Sequence, residues 1–218
     1  MIKLSNVSKY YLHGKHALDN ISFHISEGEF VFLTGHSGAG KSSLLRIIGA
    51  MDKACDGRII VDKQDITNIS NKEIPYYRRK IGMVFQDYRL MVNRTVGENV
   101  ALPLLIKGID EDDVIKKVDE VLEKVGLKYR RNDYPMFLST GEQQRVGIAR
   151  AIISEPSLIL ADEPTGNMDS KLSLEILKLF NDLNKQGTTV VMATHDLGLI
   201  NALKHRVMQL QDGRLLNS

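Results

Sequence analysis

The chain has 218 residues, enough to bury a full core in one or two domains. Apolar content of 43% and charged content of 26% are those of an ordinary soluble globular protein, and a net charge of +2 makes no electrostatic case for nucleic acid or a lipid surface as partner. One cysteine, Cys55, excludes an intramolecular disulfide framework and suits a reducing compartment; in its acidic, loop-like stretch it reads as a bystander.

The opening MIKLSNVSKYY lacks the apolar core and cleavage site of a secretory signal, and no stretch approaches the roughly 18 apolar residues of a membrane span. If the protein acts at a membrane, a partner supplies the span. IKLSNVSKYY and ALDNISFHI alternate apolar and polar residues, as half-buried antiparallel strands do. EFVFLT at 29–34 is a short apolar run, typical of a strand covered on both faces. It leads through Gly35 into an apolar-periodic segment with Leu44, Leu45, Ile47 and Ile48, a strand, glycine-rich turn and helix in succession. A strand pair is expected to bracket Asp56-Gly57, and IGMVF at 81–85 is a further buried strand.

The middle of the chain changes character. Val114, Val118, Val121, Leu122 and Val125 share one helical face, with acidic residues crowding the first turn where the helix dipole favours them. SLILADE at 157–163 then reads as a strand, 171–185 as a helix, TTVVMAT at 188–194 as a strand and RVMQLQDGRLL as a terminal hairpin. Strands alternating with helices imply an α/β fold with a mostly parallel sheet. The stretch 88–154 reads as a helical insertion into a core formed by 1–87 and 155–218.

Gly35-His36-Ser37-Gly38-Ala39-Gly40-Lys41-Ser42 fits the phosphate-loop pattern GxxxxGK[ST]. Glycines let backbone N–H groups curl round phosphate oxygens, and the helix that follows adds positive potential. The expected phosphate-binding set is Gly35, Ser37, Gly38, Ala39, Gly40, Lys41, Ser42 and Ser43. Lys41 can reach the β and γ phosphates, and the Ser42 hydroxyl can ligate Mg²⁺. Asp162, at the end of an apolar strand, is expected to hold Mg²⁺ directly or through water beside Ser42. Glu163, pointing the other way along the pleat, is placed to polarise an attacking water. His195 and Gln86 each follow a strand, at the carboxyl edge where open α/β sheets bind ligands. His195 is expected at the γ-phosphate, and Gln86 at the metal or the lytic water.

The spacing Ser139-x-x-Glu142 is a capping box that opens an apolar-periodic helix. Such a cap leaves other first-turn N–H groups outward-facing and suited to an anion.

Together these motifs resemble the nucleotide-binding subunits of ABC ATPases, in the family's order: phosphate loop at 35–42, Gln86, LSTGEQQ at 138–144, LILADEPT at 158–165, Asn167-Met168-Asp169 and His195. The resemblance spans essentially the whole chain. It implies a P-loop fold with a mixed RecA-like core sheet, a small antiparallel β subdomain and a helical subdomain, and an ATPase that dimerises head to tail around two ATP molecules. By the same resemblance Tyr11 stacks on adenine and Gln86 senses the γ-phosphate. Ser139, Gly141 and Glu142 would face the nucleotide of the other subunit, and Asp169 would touch that subunit. The family pattern is LSGGQ or LSGGE, so Thr140 departs from it.

Within the family, RRKIGMVFQDYRLMVNRTVGENVALPL at 78–104 is most similar to the cell-division ATPases of FtsE type. That implies an FtsX-like integral membrane subunit, a peripheral position on the cytoplasmic face of the plasma membrane, and control of septal cell-wall hydrolases. Tyr88, Arg89 and Leu90 either receive the partner's coupling helix or pack the helical insertion. The alternatives are an ATPase of a lipoprotein-releasing or macrolide exporter, and a nucleotide switch that barely hydrolyses ATP; Glu163 and His195 argue against the switch.

Overall fold

Two sheets of different construction follow from the two kinds of strand pattern. A computed structural model of the protein describes residues 1–11 and 16–217. The alternating segments form an antiparallel sheet from β1 (Ile2–Tyr10), β2 (His16–Ile25), β4 (Asp56–Val61) and β5 (Gln64–Asp65), in the order β2-β1-β4-β5. The uniformly apolar runs β3 (Phe30–Thr34), β6 (Ile81–Val84), β7 (Leu158–Asp162) and β8 (Thr189–Ala193) form a second sheet with the terminal hairpin of β9 (Arg206–Gln211) and β10 (Arg214–Asn217), in the order β10-β9-β3-β8-β7-β6. All its pairings are parallel except the β9–β10 hairpin.

The strand pair at Asp56-Gly57 is displaced from its expected place. Those residues begin β4, and the turn is made by Asp62 and Lys63, both in the left-handed region. Gly57 serves a bulge instead. At φ 91° it lies so close to β1 that a Cβ there would sit 2.4 Å from the Asn6 carbonyl oxygen.

Seven α-helices are described: α1 (Lys41–Ile48), α2 (Ile74–Arg78), α3 (Val96–Lys107), α4 (Glu111–Lys124), α5 (Thr140–Ile152), α6 (Ser170–Lys185) and α7 (Leu197–Ala202). The mixed sheet separates two cores, and its pleat sorts the side chains between them. Phe30, Phe32, Ile159, Ala161, Val190 and Met192 face the core built with α3 to α6. Val31, Leu33, Leu158, Leu160, Val191 and Ala193 face the antiparallel sheet and α1. The α5 helix lies so close on β6 that a Cβ at Gly82 would be 2.5 Å from the Ala151 carbonyl. Asn99, fully buried, ties 91–95 to α3: its amide donates to the Met91, Arg94 and Thr95 carbonyls, and its oxygen accepts from the Met91 N–H. No helix among the described residues is long and apolar enough to cross a membrane.

Candidate functional site

The buried strand β3 delivers the glycine loop to the carboxyl edge of the parallel strands. Gly35, Gly38 and Gly40 have φ of 148°, 82° and 109°. A Cβ would lie 2.2 Å from the Leu210 carbonyl at Gly35 and 2.3 Å from the Ala17 carbonyl at Gly40. Both dihedral and space therefore demand glycine at these two positions. The loop runs into α1, which opens with no side-chain cap and no acidic residue in its first turn. Its orphan N–H groups are left to water or to an anion.

A cavity of about 660 Å³ lies against the loop, lined by residues 35–43 with Tyr11, Ala17, Gln86, Asp162, Glu163, Gly166, Asn167 and His195. The Lys41 ammonium, almost buried, donates to the carbonyls of Gly35 at 2.6 Å and His36 at 3.2 Å, and lies 4.0 Å from Glu163 Oε1. Ser37, Gly38, Ala39, Ser42 and Ser43 line the same wall.

Asp162 closes β7 beside α1. Burial pushes its carboxyl above the usual carboxylate range; the Ser42 hydroxyl opposes this, Glu163 adds to it, Lys41 opposes it and Asp87 adds. Its Oδ1 is buried and has no hydrogen-bond partner among the described residues. An orphaned carboxylate oxygen beside a hydroxyl fits a hard divalent cation. No group of three or more His, Cys, Asp or Glu side chains gathers there or elsewhere among the described residues.

Glu163 corrects the expectation that the pleat turns it away from Asp162. The strand stops at Asp162, and Glu163 takes φ 47° while its N–H donates to the Ala193 carbonyl at 3.0 Å. This left-handed step folds its carboxylate back into the cavity that Asp162 lines, within 3.0 Å of His195 Nδ1.

Tyr11 stands at the cavity rim. Its hydroxyl donates to Asp52 Oδ2 at 3.0 Å and lies 3.3 Å from Ser43 Oγ, while Lys9, 5.1 Å from the ring centroid, also bonds Asp52 at 2.6 Å. Tyr10 faces elsewhere and packs edge-on against His16. Asp52 thus positions Tyr11 from 41 residues away, with no local signal to show it.

Four expected residues lie outside this cavity. The Ser139–Glu142 capping box forms as its spacing predicts: Glu142 N–H donates to Ser139 Oγ at 3.3 Å, and Ser139 N–H to Glu142 Oε2 at 2.9 Å. That N–H holds the Glu142 carboxyl below its usual range, with Arg130 3.3 Å away helping. Gly141 approaches the loop after Glu163: a Cβ there would be 3.4 Å from the Asn167 carbonyl. Asp169 caps α6, accepting from the Leu172 N–H at 3.0 Å, and is exposed.

Tyr88 and Arg89 form a turn that no local pattern announces. Both are left-handed, with φ of 54° and 48°, and their carbonyls accept from the Arg150 guanidinium at 2.7 and 2.8 Å. The Tyr88 hydroxyl accepts from the Asn167 amide at 2.8 Å, linking this turn to the cavity-lining loop.

Residues 18–166 match the family model described as ABC transporter. The chain is 51% identical over 215 residues to the cell division ATP-binding protein FtsE of Escherichia coli K12, covering 99% of this chain and 97% of that one. It is 46% identical over 213 residues to the FtsE protein of Bacillus subtilis 168, covering 98% and 93%. A solved dimer of the ATP-binding cassette MJ0796, in a post-hydrolysis state bound to ADP and Pi, superposes with a TM-score of 0.95 at 40% identity, over 100% of this chain and 97% of that one. The phosphate loop, the carboxyl-edge acids and this near full-length likeness agree, and the chain belongs to the ABC transporter family, in its branch of FtsE cell-division ATP-binding proteins.

Proposed function

We propose that this chain is the ATP-hydrolysing subunit of an FtsE–FtsX-type complex, dimerising on ATP and driving shape changes in an FtsX-like integral membrane subunit that control septal cell-wall hydrolysis. In this reading it sits peripherally on the cytoplasmic face of the plasma membrane, through that subunit. The observation that carries the proposal is the convergence of Lys41, Asp162, Glu163 and His195 on one glycine-walled cavity, in a chain half identical to FtsE proteins along its length.

The roles follow from the geometry. Backbone N–H groups of the 35–42 loop and the Lys41 ammonium cradle the β and γ phosphates. Ser42 and Asp162, with Gln86 beside them, hold Mg²⁺, which when bound neutralises charge developing on the phosphates. Glu163 takes a proton from the attacking water, while His195 reaches the γ-phosphate and holds the Glu163 carboxylate in place. The Tyr11 ring, fixed by Asp52, offers a stacking face to adenine. The first-turn N–H groups of Thr140 and Gly141, which the Ser139–Glu142 capping box leaves unbonded, face the nucleotide of a second copy together with Ser139 and Glu142, with Asp169 beside that interface.

Replacing the chromosomal copy by Lys41→Ala tests the division role. Filamentous cells with blocked septa are expected. Normal division with failed lipoprotein release instead would assign the chain to an exporter.

Thr140 adds a hydroxyl and a methyl where the family has bare backbone. Its helical backbone tolerates a β-branched residue, so ATP binding is expected to be retained. Thr140→Gly is expected to speed steady-state hydrolysis by easing dimer closure. A change below about 1.5-fold, well under 0.5 kcal/mol, would make the residue silent.

A further inference from the structure

Glu142 stands at the helix end assigned above to the phosphates of a second copy, yet its charge is not needed to start that helix. A capping box closes equally well with glutamine, because only a side-chain oxygen has to reach back to the N-cap N–H. The carboxylate does this with Oε2, which accepts from the Ser139 N–H at 2.9 Å and from the Ser139 hydroxyl at 2.8 Å. Two consequences oppose an incoming anion. The negative charge occupies the positive potential that the first turn of α5 would offer a phosphate. The one proton of the Ser139 hydroxyl is directed at Glu142, while the hydroxyl oxygen accepts from the Glu142 N–H at 3.3 Å.

The other carboxylate oxygen carries the compensation. Glu142 Oε1 accepts from Arg130 Nε and from the Tyr129 hydroxyl, each at 3.3 Å. Arg130 Nη1 donates to Asp133 Oδ2 at 2.9 Å, so the guanidinium bridges two carboxylates and is held with Nε toward Glu142. Arg130 is the one cation paired with Glu142 among the described residues, and the Glu142 side chain is only 12% exposed, so solvent screens the pair incompletely. Without Arg130, the uncompensated carboxylates of Asp133 and Glu142 would stand at a helix end that has to meet a phosphate. We infer that Arg130 is a positioning residue for the nucleotide of the second copy: its charge offsets Glu142, so that the γ-phosphate can draw the Ser139 proton away from Glu142 Oε2. The inference rests on the reading of the chain as an ATPase that dimerises on ATP. It adds a condition that glutamate, unlike glutamine, imposes at position 142: Glu142 and Arg130 are a matched pair, and the cation is needed only while the carboxylate is there.

The test is dimerisation of the full chain under Mg·ATP in the Glu163→Gln background, followed by sedimentation. Adding Arg130→Gln is expected to raise the protein concentration for half-dimerisation about tenfold, roughly threefold at each of two equivalent sites. Adding Glu142→Gln to that variant restores dimerisation to within about twofold of the Arg130 chain, since the amide closes the capping box and brings no charge. Arg130→Lys, which keeps the charge, stays within about threefold, and Tyr129→Phe, which removes only a neutral donor, within about twofold. ADP affinity of the Arg130→Gln chain stays at the wild-type value, because ADP fills the chain's own cavity and Arg130 does not line it. Dimerisation that ignores Arg130→Gln overturns the proposal. A loss that Glu142→Gln fails to relieve makes Arg130 a support of the local fold, and a Tyr129→Phe loss as large as that of Arg130→Gln puts orientation in place of charge; either overturns it as well. A Glu163→Gln chain with Arg130 intact that stays monomeric under Mg·ATP removes the dimerising reading itself, and the inference with it.

Discussion

Glu163→Gln is expected to cut ATP turnover by roughly 10²–10³-fold while leaving nucleotide binding intact and making an ATP-bound dimer persist. The amide keeps the shape of the carboxylate and an oxygen to accept from His195 Nδ1, which lies 3.0 Å from Glu163 Oε1. What it loses is the capacity to take a proton. The left-handed backbone at Glu163 costs free energy of order 1 kcal/mol, held by the bond to the Ala193 carbonyl and by the fixed end of β7. That strain aims the side chain into the cavity. Without nucleotide the carboxylate has His195 and, 4.0 Å away, Lys41 as neighbours. In the proposed role a γ-phosphate competes for both Lys41 and His195 and leaves Glu163 to face water. Gel filtration with Mg·ATP, beside single-turnover hydrolysis, reads both halves of the prediction. A variant that turns over within tenfold of wild type, or that elutes as monomer under ATP, removes Glu163 from the role of base.

The parts of this arrangement that were legible in the sequence are those whose physics is local. The phosphate loop declares itself because glycine is demanded within eight residues, and Gly35 and Gly40 have no room for a Cβ. The capping box at Ser139 and Glu142 closes over three residues, and β3, β6, β7 and β8 of the mixed sheet are apolar on both faces because each face meets a core. Where tertiary contacts decide, the pattern misleads or is silent. Asp56-Gly57 has turn composition, yet Gly57 is needed for close approach to β1, and the turn falls to Asp62-Lys63. Pleat alternation would turn Glu163 away from Asp162, but the strand has ended by then. The Tyr88–Arg89 turn depends on Arg150, more than 60 residues on, and the placing of Tyr11 depends on Asp52. The order of motifs carried the family; the geometry that couples them is long-range.

Asp162→Asn should separate the metal from the fold in opposite directions. In the free protein the Asp162 carboxyl is pushed toward its neutral form by burial, with Oδ1 lacking any partner among the described residues. Because its folded pKa lies above the unfolded value, protonation favours the fold. That stabilisation is complete below the unfolded pKa and is lost as pH rises through the folded one. Wherever it is ionised, the carboxylate is therefore a cost unless a cation meets it. Removing the charge is expected to raise the melting temperature of the nucleotide-free protein by about 2–4 °C, roughly 1 kcal/mol at this chain length. The same change removes a ligand from the proposed Mg²⁺ site, so the extra melting-temperature rise that Mg²⁺ adds over ATP alone disappears. Hydrolysis falls with it, by an expected 10²-fold or more. Lowering the pH toward the ordinary carboxylate range should narrow the gap in nucleotide-free melting temperature between variant and wild type, as Asp162 takes up its proton. An Asn variant that melts lower than wild type without nucleotide, yet keeps the full Mg²⁺ increment, would show that Asp162 supports the fold through contacts and leaves the metal to Ser42 and Gln86.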